Sequence, residues 1–266
     1  MLVSFVFLMT QCSRRPGMVD LTGYEFFLVF LAFFLGGLLK GILGIGLPLM
    51  VLSILGVILS PTLVVALLVM PIVTTNLWQA FRHGLPDDGI RRLLPMSLVF
   101  VVFTALGAML LTSIEEELLF ISLGVIVVGF SLLNLLGSTL SVPPRHEVWA
   151  GPFTGMVAGL LNGISTVNGP PLAMYLVGIQ LAKDDFVKAY GLVALFGSVP
   201  LALSYIGVGI FGFHEFVISS IALVPVFLGM WAGQTVRNHI DKELFRKVLL
   251  VALVLLGANL IRRGLF

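Results

Sequence analysis

Long apolar runs, separated by short polar segments, make up most of this chain. Six of the runs have about the length of one membrane crossing, which takes about 20 residues in a helix. They cover residues 61–81, 93–111, 118–136, 189–206, 216–236 and 244–261. The pattern therefore predicts six transmembrane helices.

Two further apolar runs are interrupted by glycine-rich breaks. Within residues 25–59, three closely spaced glycines followed by Pro48 predict that one helix stops near residue 43 and that another begins near residue 47. Within residues 148–181, about 14 apolar residues precede a polar break and about ten follow it. Neither arm of the second run can cross a bilayer alone. Each run is predicted to be a broken helix or a re-entrant hairpin.

The two halves of the chain match each other in order, which indicates an internal duplication. Gly37 and Gly41 match Gly155 and Gly159, a spacing that lets helices approach closely. After a five-residue insertion in the second half, the further matches are Pro48 with Pro171, Leu49 with Leu172, Gly84 with Gly207 and Gly107 with Gly233. The predicted organisation is an N-terminal extension (1–23), a first repeat (24–137), a linker (138–147) and a second repeat (148–266).

The charges of corresponding loops indicate that the repeats are inverted. One loop of the first half carries Arg82, Arg91 and Arg92, whereas its counterpart, residues 207–214, has no Lys or Arg. The acidic loop of the first half corresponds to a basic loop at residues 237–247. Because basic loops stay on the cytoplasmic side, we expect two inverted repeats, each with a hairpin and three transmembrane helices, and both termini outside.

Composition supports an all-α polytopic membrane protein and excludes several functions. Hydrophobic residues make up 59% of the chain and charged residues 11%, against about 25% charged residues in soluble domains. Cys12 is the only cysteine, so a disulfide within the chain is excluded. No basic cluster suited to nucleic acid is present. Acidic residues and histidines lie outside the apolar interior, so neither a metal nor a cofactor is predicted.

The two breaks are the candidate functional site. Paired broken helices in inverted repeats are typical of transporters that bind their substrate near the middle of the membrane. A helix that restarts at a break directs unpaired N–H groups towards the site, where they attract anions. Lys40 is the only charged residue away from the ends of the long apolar segments, since Glu25, Arg246 and Lys247 lie within the first four residues of theirs. A lysine facing lipid costs about 3 kcal/mol. The alternative is that Lys40 reaches the membrane surface or lies near the hairpin base.

Further candidate binding residues are small or polar. They are Gly44, Gly46, Asn76, Gln79, Asn162, Ser165, Thr166, Asn168 and Gly169. The polar residues of the second break could instead stabilise a turn, and those of residues 76–79 could bond neighbouring helices. A membrane hydrolase would need a base beside Ser165, and only Lys40 is a candidate. We therefore do not predict an enzyme.

Four stretches of sequence resemble the TauE/SafE family of sulfite and organosulfonate exporters. They are GGLLKGILGIGLPL, NLWQAFRHG, GLLNGISTVNGPPLAMYL and IDKELFRK. The resemblance implies a permease for small sulfur-containing anions in the plasma membrane of a prokaryote. Family members often carry a glycine triplet where this chain has Leu47 and Pro48, and a glycine where it has Asn168.

These observations predict an exporter of a small anion, such as sulfite, an organosulfonate or a small carboxylate. The inside-negative membrane potential favours anion exit by about 2.3 kcal/mol per charge per 100 mV. The expected partners are the anion and the lipid bilayer, and a homo-oligomer is left open. The alternatives are an anion channel and a membrane scaffold protein that transports nothing.

Overall fold

The computed structural model describes residues 23–56, 58–82, 89–110, 116–136 and 142–265, and all regular structure in these ranges is helical. The first half contains α1 (Gly23–Leu43), α2 (Leu47–Leu55), α3 (Pro61–Phe81), α4 (Gly89–Leu110) and α5 (Glu116–Leu135). The second half contains α6 (Pro144–Ser165), α7 (Gly169–Gly178), α8 (Lys183–Gly207), α9 (Phe213–Ile221), α10 (Leu223–Asn238) and α11 (Lys242–Leu265). The predicted all-α class is confirmed. The predicted N-terminal extension, with Cys12, lies outside the described residues apart from Gly23.

Several described helices have the length and composition of membrane spans. Five stretches qualify, namely Phe26–Leu43, Thr62–Phe81, Arg92–Leu110, Asp184–Gly207 and Phe213–Asn238. The last one joins α9 and α10, which are separated only at Ala222. These spans confirm a polytopic membrane protein. α6 begins at Pro144, within the predicted linker.

The first break folds the chain back on itself. α1 ends at Leu43 and α2 begins at Leu47, as predicted. A methyl group on Gly36 would lie 2.8 Å from Leu47 Cδ1 and 3.0 Å from Val51 Cγ2. If α2 continued along the axis of α1, Val51 would be about 22 Å from Gly36, at 1.5 Å per residue. The two helices therefore form a hairpin rather than one interrupted crossing.

The second break has the same shape. The N–H of Val142, just before α6, donates to the carbonyl of Gly178 at the end of α7, with an N···O distance of 2.9 Å. A methyl group on Gly151 of α6 would lie 3.2 Å from the Tyr175 hydroxyl of α7. The end of α7 therefore lies beside the start of α6, and the hairpin returns to the side from which it entered.

Both short arms lie in the centre of the protein. Almost every residue of α2 is buried, as are most residues of α7. The long helices carry the exposed apolar side chains, for example Leu98, Met109, Leu203 and Trp231. This distribution suits a membrane, because non-helical backbone at membrane depth must be shielded from lipid.

Glycines allow the long arm of each hairpin to touch the backbone of a helix from the other half. α1 packs on α10, where a methyl group on Gly41 would lie 2.3 Å from the Met230 carbonyl oxygen. α6 packs on α4, where a methyl group on Gly163 would lie 2.2 Å from the Thr104 carbonyl oxygen. Small residues are the usual means of such close helix contact in membranes. Each hairpin is thus held mainly by the opposite half.

Corresponding helices of the two halves run antiparallel where they meet. In the α3–α8 pair, Asn76 bonds Ser198, and Gln79 lies beside Gly191. In the α5–α11 pair, Gly124 lies against Gly257, whereas Gly264 lies against Glu117. An inverted duplication requires equivalent helices of the two halves to run in opposite directions. In parallel repeats they would run in the same direction. The inversion across the bilayer itself stays a prediction.

The helix contacts correct the register of the repeat by one helical turn. Gly41 and Gly163 occupy equivalent places, since Gly41 lies against Gly233 and Gly163 lies against Gly107, two glycines that match between the halves. Pro48 and Pro170 are each the second residue of their short helix. The predicted matching of Gly41 with Gly159, and the five-residue insertion, are therefore wrong. Glycines recur every four residues along α6, so a slip of one turn preserves the pattern.

We expect Gly163→Ala to lower the thermal unfolding temperature, because the added methyl group would meet the α4 backbone. Overpacking of this kind costs about 1–3 kcal/mol. Gly129→Ala in α5 is the matched control, since nothing lies within 4 Å of its added methyl group. Unfolding of the two variants in detergent checks this, and equal melting temperatures would contradict the contact.

The inverted arrangement predicts opposite locations for two corresponding helix starts. A reporter fused at Glu116 should read outside, and one fused at Lys242 should read inside. Alkaline phosphatase and fluorescent-protein fusions measure the two locations independently. Finding both reporters on the same side would rule out inversion.

Candidate functional site

The two breaks meet in the interior. A methyl group on Gly169, the first residue of α7, would lie 3.7 Å from Ile45 Cβ in the first break. Ile45, Val167, Asn168 and Gly169 are all buried. The turns of the two hairpins are therefore in contact, and their polar groups can act on one ligand.

Lys40 lies in the last turn of α1, four residues before Gly44. Lys40 is only 2% exposed, so its ammonium does not reach the protein surface. The ammonium donates to Asn76 Oδ1 at 2.5 Å and lies 5.9 Å from the centre of the Tyr190 ring. Among the described residues, Lys40 forms no ion pair. A buried charge with only neutral partners lacks full compensation.

Asn76 is held on both sides. Its Oδ1 accepts from Lys40, and its Nδ2 donates to Ser198 Oγ at 3.0 Å. Ser198 in turn donates to the Ala194 carbonyl at 2.6 Å. The positions of the amide oxygen and nitrogen follow from these hydrogen bonds. Asn76 therefore presents a rigid acceptor to the lysine.

The second half supplies a chain of neutral groups that ends on Thr104 of the first half. The Tyr190 hydroxyl donates to Asn168 Oδ1, and Asn168 Nδ2 donates to Asn162 Oδ1 at 2.8 Å. Asn162 Nδ2 donates to Thr104 Oγ1 at 3.2 Å. Because Tyr190 also faces Lys40, the chain and the lysine form one buried polar network between the halves.

Three members of this network were missed in the sequence, namely Thr104, Tyr190 and Ser198. Each lies in a span that contains no charged residue. Tyr190 and Ser198 are two turns apart on one face of α8, a spacing that could have indicated a polar stripe. Ser97 and Thr104 of α4 show a comparable spacing of seven residues.

The hydroxyl groups of the adjacent residues Ser165 and Thr166 differ in their hydrogen bonding. Ser165 Oγ donates to the Leu161 carbonyl of its own helix at 2.9 Å. Thr166 adopts φ 61°, which is uncommon for a β-branched residue. Its Oγ1 is buried without a partner among the described residues. Ser165 and Lys40 therefore bond different groups, and they do not form the nucleophile–base pair of a hydrolase.

The first turns of the short helices provide fewer donors than predicted. α7 begins with Gly169, Pro170 and Pro171, so only Gly169 has an N–H in this stretch. The Leu172 N–H points to the Asn168 carbonyl at 3.3 Å. The N–H groups expected where the second break restarts its helix are therefore fewer, because first-turn prolines lack the donor.

The glycines of the first break are required by the backbone. Gly44 and Gly46 have φ values of 81° and 100°, a region that L-residues rarely adopt. A methyl group on Gly44 would also lie 2.7 Å from Val187 Cγ2. Gly44 and Gly46 therefore allow the turn to form, and this turn positions Lys40 and the start of α2.

Gln79 lies one turn beyond Asn76 on α3. Its Nε2 donates to the Lys40 carbonyl at 3.4 Å, and its Oε1 is buried without a partner among the described residues. Polar residues predicted from the sequence therefore lie at both breaks. Gln79 contacts Lys40 near the first break, whereas Asn162 and Asn168 bond each other at the second.

The fold and the site define an all-α, polytopic membrane protein in which two broken-helix hairpins meet around a buried lysine. A sequence model of the family described as Sulfite exporter TauE/SafE matches residues 29–260. The chain belongs to this family, which confirms the resemblance and the class of membrane permease. This is a family of transporters rather than enzymes. Neither a curated protein nor a solved structure gives a significant match.

We expect Gly44→Ala to be destabilising by about 1–3 kcal/mol, because alanine is strained at this φ and would press on Val187. Gly169→Ala is the control, since its methyl group would be in ordinary contact with Ile45. Thermal unfolding of both variants in detergent checks the difference. Equal stability would mean that the first break does not need its glycine.

Proposed function

We propose that the protein exports a small anion, namely sulfite, an organosulfonate or a small carboxylate, through a site shared by the two breaks. The observation that carries this proposal is Lys40, a buried lysine without an acidic partner among the described residues. An anionic substrate would compensate its charge while bound. The protein would act in the plasma membrane of a prokaryote, with both termini outside.

The neighbouring groups would orient the substrate. Asn76 holds the lysine ammonium at 2.5 Å, so the charge occupies a defined position. The N–H groups at the starts of α2 and α7, including that of Gly169, would add favourable dipoles. Asn162, Asn168 and Thr166 would supply neutral polar groups from the second half. Ser165 would stabilise its own helix.

The hairpin geometry suits alternating exposure better than a permanent pore. The breaks touch each other at Ile45 and Gly169, and both short helices are packed in the interior. We propose that rearrangement of one hairpin bundle against the other would open the site to each side in turn. The membrane potential would then favour exit of a net negative charge.

Lys40→Met should lower sulfite or organosulfonate efflux by about tenfold to hundredfold. The substitution keeps most of the unbranched side chain and removes a charged hydrogen bond, which is worth about 1.5–3 kcal/mol. Lys247→Met is the matched control, because Lys247 is exposed and forms a surface pair with Glu243. Efflux from loaded proteoliposomes, normalised to the amount of folded protein, provides the measurement.

Normal efflux by Lys40→Met would show that the charge of Lys40 is not needed for transport. Counterflow in the same proteoliposomes separates the remaining functions. A transporter accelerates labelled substrate when unlabelled substrate is present on the other side, whereas a channel does not. No flux of any tested anion by the wild type would favour a scaffold.

A further inference from the structure

We infer that the Lys40 site selects a monoanion that carries its own hydrogen-bond donor, and that Gln79 Oε1 accepts this donor. The inference rests on the proposed function, since it specifies the substrate of the same site. It separates hydroxyl-bearing sulfonates and hydrogensulfite from anions that offer only acceptors. Lys40 then selects for negative charge, and Gln79 selects for a hydrogen-bond donor on the anion.

The amides around the lysine leave one acceptor open. Asn76 uses both ends of its amide, towards Lys40 and Ser198. Asn162 and Asn168 do the same along the chain that joins Tyr190 to Thr104. Only Gln79 has an amide oxygen that is buried and unpartnered among the described residues. A ligand donor is the group that would satisfy it.

The orientation of the Gln79 amide follows from its other end. Its Nε2 faces the Lys40 carbonyl oxygen at 3.4 Å. The reversed amide would place two acceptors against each other, so the bonding pattern favours Oε1 as the free atom. Gln79 is 4% exposed and packs closely against Gly191 of α8. The open acceptor is therefore directed into the interior.

Gln79 is also in the right place to contact a ligand held by the lysine. The side chain of Lys40 runs along one face of α3, with its backbone carbonyl at Gln79 and its ammonium at Asn76. These two α3 residues are three apart and share that face. A small anion at the ammonium would lie about one helical turn from the Gln79 amide, which is within the span of a two-carbon sulfonate.

The charge of the site limits the ligand to one negative charge. Lys40 supplies one positive charge, and the other members of the network, such as Asn76, Tyr190 and Ser198, are uncharged. A monoanion would leave the buried site neutral, whereas a dianion would leave an uncompensated charge in a low-dielectric interior. The site therefore disfavours dianions.

The test compares 2-hydroxyethanesulfonate with ethanesulfonate, which have the same charge and differ by one hydroxyl group. Dissociation constants are measured by isothermal titration of the purified full-length protein in detergent. We expect the wild type to bind the hydroxyl compound about fivefold to tenfold more tightly, the usual effect of one hydrogen bond. Ethane-1,2-disulfonate, a dianion, should bind more weakly than either.

Gln79→Met should reduce the affinity ratio of the two monoanions to about one. Gln234→Met is the matched control, because it removes a second buried amide, on α10, and should keep the wild-type ratio. The ratio is the decisive quantity, since a merely structural role of Gln79 would change both affinities in parallel.

Equal affinities in the wild type, or no binding of either sulfonate, would overturn the inference, as would an unchanged ratio in Gln79→Met. The wild-type comparison decides even if Gln79→Met does not fold. Because the readout is binding, its failure is distinct from failure of the proposed function, which is judged from anion flux.

Discussion

The backbone groups left unpaired at the two helix breaks must be kept away from lipid, and the arrangement of the long helices meets this requirement. Each hairpin inserts its short arm into the interior, while its long arm contacts a helix of the opposite half through glycines such as Gly41 and Gly163. The close backbone contact is possible only because a β-carbon is missing there. The fold thereby creates an enclosed polar site inside an apolar protein.

The two halves contribute unequally to this site. In the corrected register, Lys40 and Asn162 are equivalent, because each carbonyl accepts from the residue that begins its break, Gly44 or Thr166. One half therefore places a charge where the other places an amide. An asymmetric pair of this kind can bind a single anion, whereas two lysines in contact would repel each other.

The asymmetry extends to the turns. Gly44 adopts its left-handed φ without cost, but Thr166 adopts a similar φ despite its branched side chain. Strain of this kind persists only where the surroundings hold it, and Thr166 is fully buried beside the amide chain. The second break is thus a more constrained turn, with fewer N–H donors because of its two prolines.

The sequence by itself determined the features that depend on local chemistry. Glycine and proline placed the first break between residues 43 and 47, and Lys40 stood out because a charge is rare in an apolar run. Only the tertiary structure decided the rest. The repeat register needed helix contacts, because a four-residue glycine pattern looks the same after a slip of one turn. Tyr190 and Ser198 joined the site because hydrogen bonds to distant segments, not their neighbours in sequence, define their roles.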